Sequence, residues 1–173
     1  MTFERKISGT TVFHGRVFSV DNDEVELPGG ARARRELVRH PGGVAVLAED
    51  GQGRVVLVRQ YRYGAGEETT EIPAGKLEPG EEPLAAGLRE LYEETGYTAG
   101  TTRPLGFIWP TAAYCSEKIW LFHCTNLTGG QAKPDEGEDV RAELMPLDEL
   151  RGKIMSGEVN DAKTIAAVMR RDG

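Results

Sequence analysis

Apolar positions along the chain gather into short runs. Residues 44–48 and 55–58 are continuously apolar, and Asp50-Gly51 between them is turn chemistry, so this stretch predicts a buried hairpin. Upstream, residues 11–14, 17–21, 24–27 and 33–39 read as short strands. Val25 and Leu27 alternate with charged neighbours, and Pro28-Gly29-Gly30 marks a turn. A small antiparallel sheet is expected there, too thin to be stable alone, so it must pack on the rest of the chain or on a second subunit. His40-Pro41-Gly42-Gly43 punctuates its end. Downstream, strands are expected at 71–73, 105–109, 119–124 and 142–146, and helices at 83–95, 147–156 and 161–171. A central sheet flanked by helices follows.

The helix at 83–95 carries the most information. Pro83 suits a first helical turn, Glu81 and Glu82 complement the N-terminal dipole, and Gly96 suits the residue just past the end. At about 100° per residue, Leu84, Leu88, Leu91 and Thr95 fall on one face, which predicts the buried side. Glu90, Glu93 and Glu94 cluster opposite. Glutamates at i,i+3 and i,i+4 repel by a few tenths of a kcal/mol per pair, and negative charge near a helix C-terminus opposes the dipole. This helix therefore needs a compensating cation. Arg89, four residues before Glu93, is one candidate, and a divalent metal is the other. An all-oxygen donor set suits Mg²⁺ or Mn²⁺. The preceding Gly- and Pro-punctuated loop, residues 73–80, could bring backbone carbonyls to the same ion.

Composition narrows the partners. The 173 residues include 28 acidic and 21 basic side chains, so 21 − 28 leaves −7, with 39% hydrophobic and 28% charged residues. That is globular rather than disordered chemistry, at a length suited to one domain with a small appendage. The negative field argues against nucleic acid and anionic membranes as partners. It does not exclude an anionic small molecule where cations and local arginines invert the sign. No membrane-length apolar stretch and no signal-peptide core is seen, and Cys115 and Cys124 form no disulfide framework, so a cytoplasmic location is expected. The three histidines, His14, His40 and His123, lack ligand spacing.

Residues 75–97, GKLEPGEEPLAAGLRELYEETGY, resemble the Nudix box at every fixed position: Gly75, Glu81, Arg89, Glu90, Glu93, Glu94 and Gly96. Tyr97 stands where an aliphatic residue is commoner. The likeness continues outside the box. The segments 44–47, 57–63 and 71–75, with Val25-Glu26-Leu27-Pro28 and Arg34-Arg35-Glu36, are similar to the ADP-ribose pyrophosphatase branch of that family. The resemblance implies an α+β protein: an α/β/α sandwich with a mixed central sheet at 41–173, and an N-terminal antiparallel sheet at 1–40 that serves dimerisation and nucleotide contacts.

It also implies a chemistry, the Mg²⁺-dependent hydrolysis of the pyrophosphate of ADP-ribose or a related nucleoside diphosphate sugar by a homodimer. Glu90 and Glu94 are the implied metal ligands with the carbonyl of Ala74, and Glu93 joins them directly or through water. Arg89 orients the glutamates, and Glu81 supports the box. The general base is expected in the acidic stretch 135–139, with Glu136 in that role and Glu138 as a second carboxylate. Arg62 is expected on the pyrophosphate, Arg35 (or Arg34) reaching the ligand from the N-terminal sheet, Glu117 on the terminal sugar, and Phe18 stacking on the base. One departure bears on substrate. Many ADP-ribose-specific members carry a Ser-Pro-Gly turn about fifteen residues after the box, and here Ala112-Ala113 stand in place of Pro-Gly. ADP-glucose and GDP-mannose therefore stay open beside ADP-ribose.

Overall fold

The computed structural model describes residues 3–130 and 140–172. The chain divides into two compact units, the first made of Met1–Gly42 and Trp109–Lys118, the second of Gly43–Ile108 and Ile119–Gly173.

In the first unit, β1 (Arg5–His14), β2 (Ser19–Glu26) and β3 (Arg32–Arg39) form an antiparallel sheet in that order. The β2–β3 turn closes with Leu27 N–H donating to the Ala31 carbonyl at 2.7 Å, and Gly29 and Gly30 both take positive φ there, which the expected Pro-Gly-Gly turn requires. The far edge of β3 is tied to the 109–118 segment: Val38 N–H donates to Tyr114 O at 2.8 Å and Ser116 N–H to Val38 O at 2.9 Å. All ten positions of β1 are exposed. Its polar side chains answer β2 across the pairing, as with Lys6 and Asp23 at 2.6 Å.

The second unit holds two sheets. One is four-stranded and mixed, in the order β7 (Ala74–Lys76), β4 (Gly43–Ala48), β9 (Ile119–Gly129), β8 (Tyr97–Ile108), with only β4 and β9 parallel. The other is antiparallel, β10 (Arg141–Pro146), β5 (Arg54–Arg62), β6 (Glu67–Glu71). The hairpin expected from residues 44–48 and 55–58 is not formed. A single bridge, Glu49 to Val55, follows the Asp50 turn, and the strands then part into different sheets. Residues 44–48 of β4 and 55–58 of β5 are apolar throughout because those stretches are buried on both faces. Ala45, Leu47, Val55 and Leu57 face one core with α2 (Leu147–Ser156) and α3 (Ala162–Arg170). Val44, Val46, Ala48 and Val56 face the other with α1 (Pro83–Thr95). Full burial of each such Val or Leu contributes about 1.5–3 kcal/mol. Helices thus cover both faces, which is the expected α+β sandwich, with a separate antiparallel sheet in the first unit. Among the described residues no helix is long and apolar enough to cross a membrane.

The buried face of α1 is rotated from the one expected. Ala86, Gly87, Leu91, Glu94 and Thr95 are buried, Leu88 is half-buried, and Leu84 is exposed. The reason is a close approach at Gly87, where a Cβ would lie 3.0 Å from the Cγ2 atoms of both Val44 and Val46. Seating the helix on β4 at that glycine turns Leu84 outwards and draws Glu94 inwards.

Candidate active site

The site is built where α1 passes β7. β7 is held on β4 by the Val44–Gly75 and Ala45–Ala74 pairings, and Val46 N–H donates to Pro73 O at 2.9 Å. Two acidic side chains of α1 then meet two successive residues of β7. Glu94, only 5% exposed, accepts from Ala74 N–H at 3.0 Å. The Glu90 carboxylate lies so close over Gly75 that a Cβ there would be 1.9 Å from its Oε1. Arg89 gathers the rest. Its Nε and Nη2 donate to both oxygens of Glu81 at 3.0 and 3.1 Å, and its Nη1 donates to Glu90 and Glu93, both at 2.9 Å. Glu81 is itself held by Glu78 N–H at 3.0 Å. The fork of hydrogen bonds that Arg89 donates to Glu81, with Glu90 and Glu93 beside it, pushes the Arg89 pKa up, and the same fork lowers that of Glu81.

Four carboxylates and one arginine sum to 1 − 4 = −3. Among the described residues no three of His, Cys, Asp or Glu converge as a ready set of ligands, since Glu90 and Glu93 are turned to Arg89. What converges is the pair Glu90 and Glu94 on the β7 backbone, a hard, anionic, oxygen-only donor set that fits a divalent cation such as Mg²⁺.

Arg62, at the end of β5, forms a second centre. Its Nε and Nη2 donate to Glu71 at 2.7 and 2.6 Å. Glu71 is 2% exposed and also accepts from Thr69 Oγ1 at 2.5 Å and from Lys163 Nζ. Burial alone would raise the Glu71 carboxyl pKa, but the Arg62 hydrogen bond and the Lys163 charge outweigh it, leaving the group at about 2. The Arg62 pKa is raised, mainly by its hydrogen bond to Glu71, with a smaller contribution from Glu94, so the two centres share one field.

A family model described as the NUDIX domain matches residues 39–168, which is most of the chain. The chain belongs to the Nudix hydrolase family. It is similar, at 39% identity over 167 residues, to a Bacillus subtilis protein named ADP-ribose pyrophosphatase, covering 95% of this chain and 90% of that one. It is 40% identical, with the same coverage, to a Bacillus methanolicus protein named methanol dehydrogenase activator. Among solved structures, that of an ADP compounds hydrolase superposes with a TM-score of 0.83 at 24% identity, over 98% of this chain and 92% of that one, a likeness of fold.

The Nudix box residues Arg89, Glu90, Glu93 and Glu94 are thus brought together with Ala74. Glu136 and Glu138 lie outside the described residues. Arg35, Phe18 and Glu117 belong to the first unit. Arg35 is paired with Glu4, its Nε donating at 2.9 Å. Phe18 is 41% exposed with its ring 5.7 Å from that of Phe13. Glu117 Oε1 is 3.5 Å from His40 Nδ1. Glu71 lies in the 71–75 segment that carries the family likeness but has no expected role there, and Lys163 carries no motif. Lys163 did leave one trace, a lysine on the helical face shared by Thr164, Ala167 and Val168, all of them buried.

Proposed function

We propose that this Nudix hydrolase cleaves the pyrophosphate of ADP-ribose to AMP and ribose 5-phosphate, with Mg²⁺ as cofactor and Mn²⁺ as a substitute. The observation that carries the reading is the complete set of box side chains assembled against β7, Arg89 with Glu81, Glu90 and Glu93, and Glu94 on Ala74. The name of the 39% identical relative supports ADP-ribose as the substrate. Glu90, Glu94 and the Ala74 carbonyl, with Glu93 directly or through water, would hold the cation, which supplies positive charge against the pyrophosphate oxygens. Arg89 keeps the glutamates apart and aimed. Arg62, oriented by Glu71, pairs with a pyrophosphate oxygen through its remaining N–H groups. The proton of the attacking water is assigned to Glu136, with Glu138 as a second carboxylate for the metal site.

The alternative substrates are other nucleoside diphosphate sugars, ADP-glucose and GDP-mannose among them. A different class of reading, a regulator that binds ADP-ribose without turning it over, has some support in the activator name of the 40% identical relative. The undepleted box favours hydrolysis. A panel of nucleoside diphosphate sugars with Mg²⁺ decides between them: ADP-ribose should be turned over fastest, and tight binding with no released product would establish the regulator. In the same assay Glu136→Gln should lower kcat by about 10²-fold or more. A near wild-type kcat rejects the base assignment.

We assign residues 1–40 to dimerisation and to the adenosine half of the substrate, through Arg35 and Phe18, and 41–173 to the Nudix domain, with Glu117 on the terminal sugar. Support for a homodimer comes from β1, an edge strand exposed along its length that carries Val12 at 62% and Phe13 at 51% exposure. The mass in solution should be near twice 18.9 kDa, and a monomer at micromolar concentration would refute the assignment. No nucleic-acid partner and no membrane association is proposed, and a cytoplasmic location fits.

A further inference from the structure

We infer that Lys163, the second residue of α3, is a positioning residue for substrate: it holds Glu71, and Glu71 sets the direction of the Arg62 guanidinium. The inference rests on the reading of Arg62 as a pyrophosphate contact. Its basis is the way Glu71 is satisfied. A carboxylate offers about four lone-pair sites. Here Oε1 accepts from Arg62 Nε and Thr69 Oγ1, and Oε2 accepts from Arg62 Nη2 and Lys163 Nζ. All four sites are filled, so the carboxylate cannot turn without breaking a bond. Arg62 is thereby clamped by one edge, and among the described residues its guanidinium makes no other hydrogen bond.

Lys163 is in turn fixed by the first turn of α3. It reaches Asp161 Oδ1 at 2.8 Å, while Asp161 Oδ2 accepts from Thr164 N–H at 2.9 Å as the helix cap. Ile72 N–H donates to Thr164 Oγ1 at 2.9 Å, so the same turn grips the short link from Glu71, the last residue of β6, to Ala74, the first of β7, where Glu94 is anchored. One helix start therefore sets both the arginine and the backbone that carries a box glutamate. The charges of Arg62, Lys163, Glu71 and Asp161 sum to zero. Removing Lys163 leaves a net −1, largely buried, beside the arginine meant for an anion, and frees Glu71 to move. Loss of that kind weakens binding of substrate and transition state alike, which raises KM with little change in kcat.

The test is steady-state hydrolysis of ADP-ribose at saturating Mg²⁺ by Lys163→Met, Thr69→Val and Arg62→Ala, singly and with each of the first two combined with the third. Lys163→Met should raise KM about tenfold with kcat within about threefold of wild type, and Thr69→Val should act in the same direction more weakly. On the Arg62→Ala background neither should raise KM further. An unchanged KM in Lys163→Met, or effects that add fully on Arg62→Ala, overturns the relay. A wild-type KM in Arg62→Ala itself refutes the pyrophosphate contact, and the relay falls with it. If Lys163→Met does not fold, Thr69→Val on the two backgrounds decides the question alone.

Discussion

Glu94→Gln is expected to lower Mg²⁺-dependent turnover by about 10³-fold while leaving the fold standing. The two halves of that statement come from different features of one side chain. Glu94 is 5% exposed and accepts from Ala74 N–H at 3.0 Å. A glutamine of the same shape can still accept that bond through its amide oxygen, so β7 keeps its anchor. What disappears is one negative charge from a site of four carboxylates and one arginine. Relief of repulsion on the helix is worth only tenths of a kcal/mol. The melting temperature without metal should therefore stay within about 2–4 °C of wild type, the shift that about 1 kcal/mol gives at this size. A hard cation, by contrast, loses an anionic ligand that an amide cannot replace. Titrating kcat against Mg²⁺ and melting both proteins in chelator would separate the two effects. Wild-type turnover in the variant would remove Glu94 from the metal site.

How legible the molecule was in its sequence differs from feature to feature, for physical reasons. The ends of α1 were read to the residue, because Pro83 and Gly96 act locally and the structure places Gly96 at φ 72° with its N–H on Tyr92 O. Its buried face was misread at Glu94. Periodicity ranks residues by polarity and assumes that charged ones face water, whereas this helix packs through Gly87 on β4 and turns Glu94 onto a backbone donor. The β4–β5 stretch shows the same limit. The Asp50 turn was correct, since Asp50 Oδ1 caps Gln52 N–H at 2.8 Å. The pairing was not, because β4 lies between β7 and β9, and β9 is some seventy residues away in the chain. The contact between Glu71 and Lys163 is invisible in the sequence for a related reason. They are 92 residues apart, and neither has a neighbour in sequence that signals the other. The carboxylates and arginine of the box are legible because one helix and one loop hold them all, so their spacing carries their geometry.

Gly75→Ala should cost about 10²-fold in kcat/KM and raise the Mg²⁺ concentration for half-activity about tenfold, again with little change in stability. Gly75 is not needed for its backbone freedom: it sits in β7 paired with Val44, and it is not among the residues of positive φ. Alanine is tolerated by such a backbone. The obstacle is the Glu90 carboxylate, whose Oε1, Cδ and Oε2 would lie 1.9, 2.0 and 2.4 Å from the new methyl carbon. The strand is pinned by its pairing with β4, so it is the far end of the Glu90 side chain that must move. Swinging a partly exposed carboxylate aside is cheap for the fold, but it removes Glu90 from its place beside Glu94 and breaks the 2.9 Å bond from Arg89 Nη1. The glycine is therefore a requirement of the site rather than of the strand. On a Glu90→Ala background the methyl group has room, and Gly75→Ala should there add no further loss. If the full loss persists on that background, Gly75 acts through its backbone, and the account of the cradle under Glu90 is wrong.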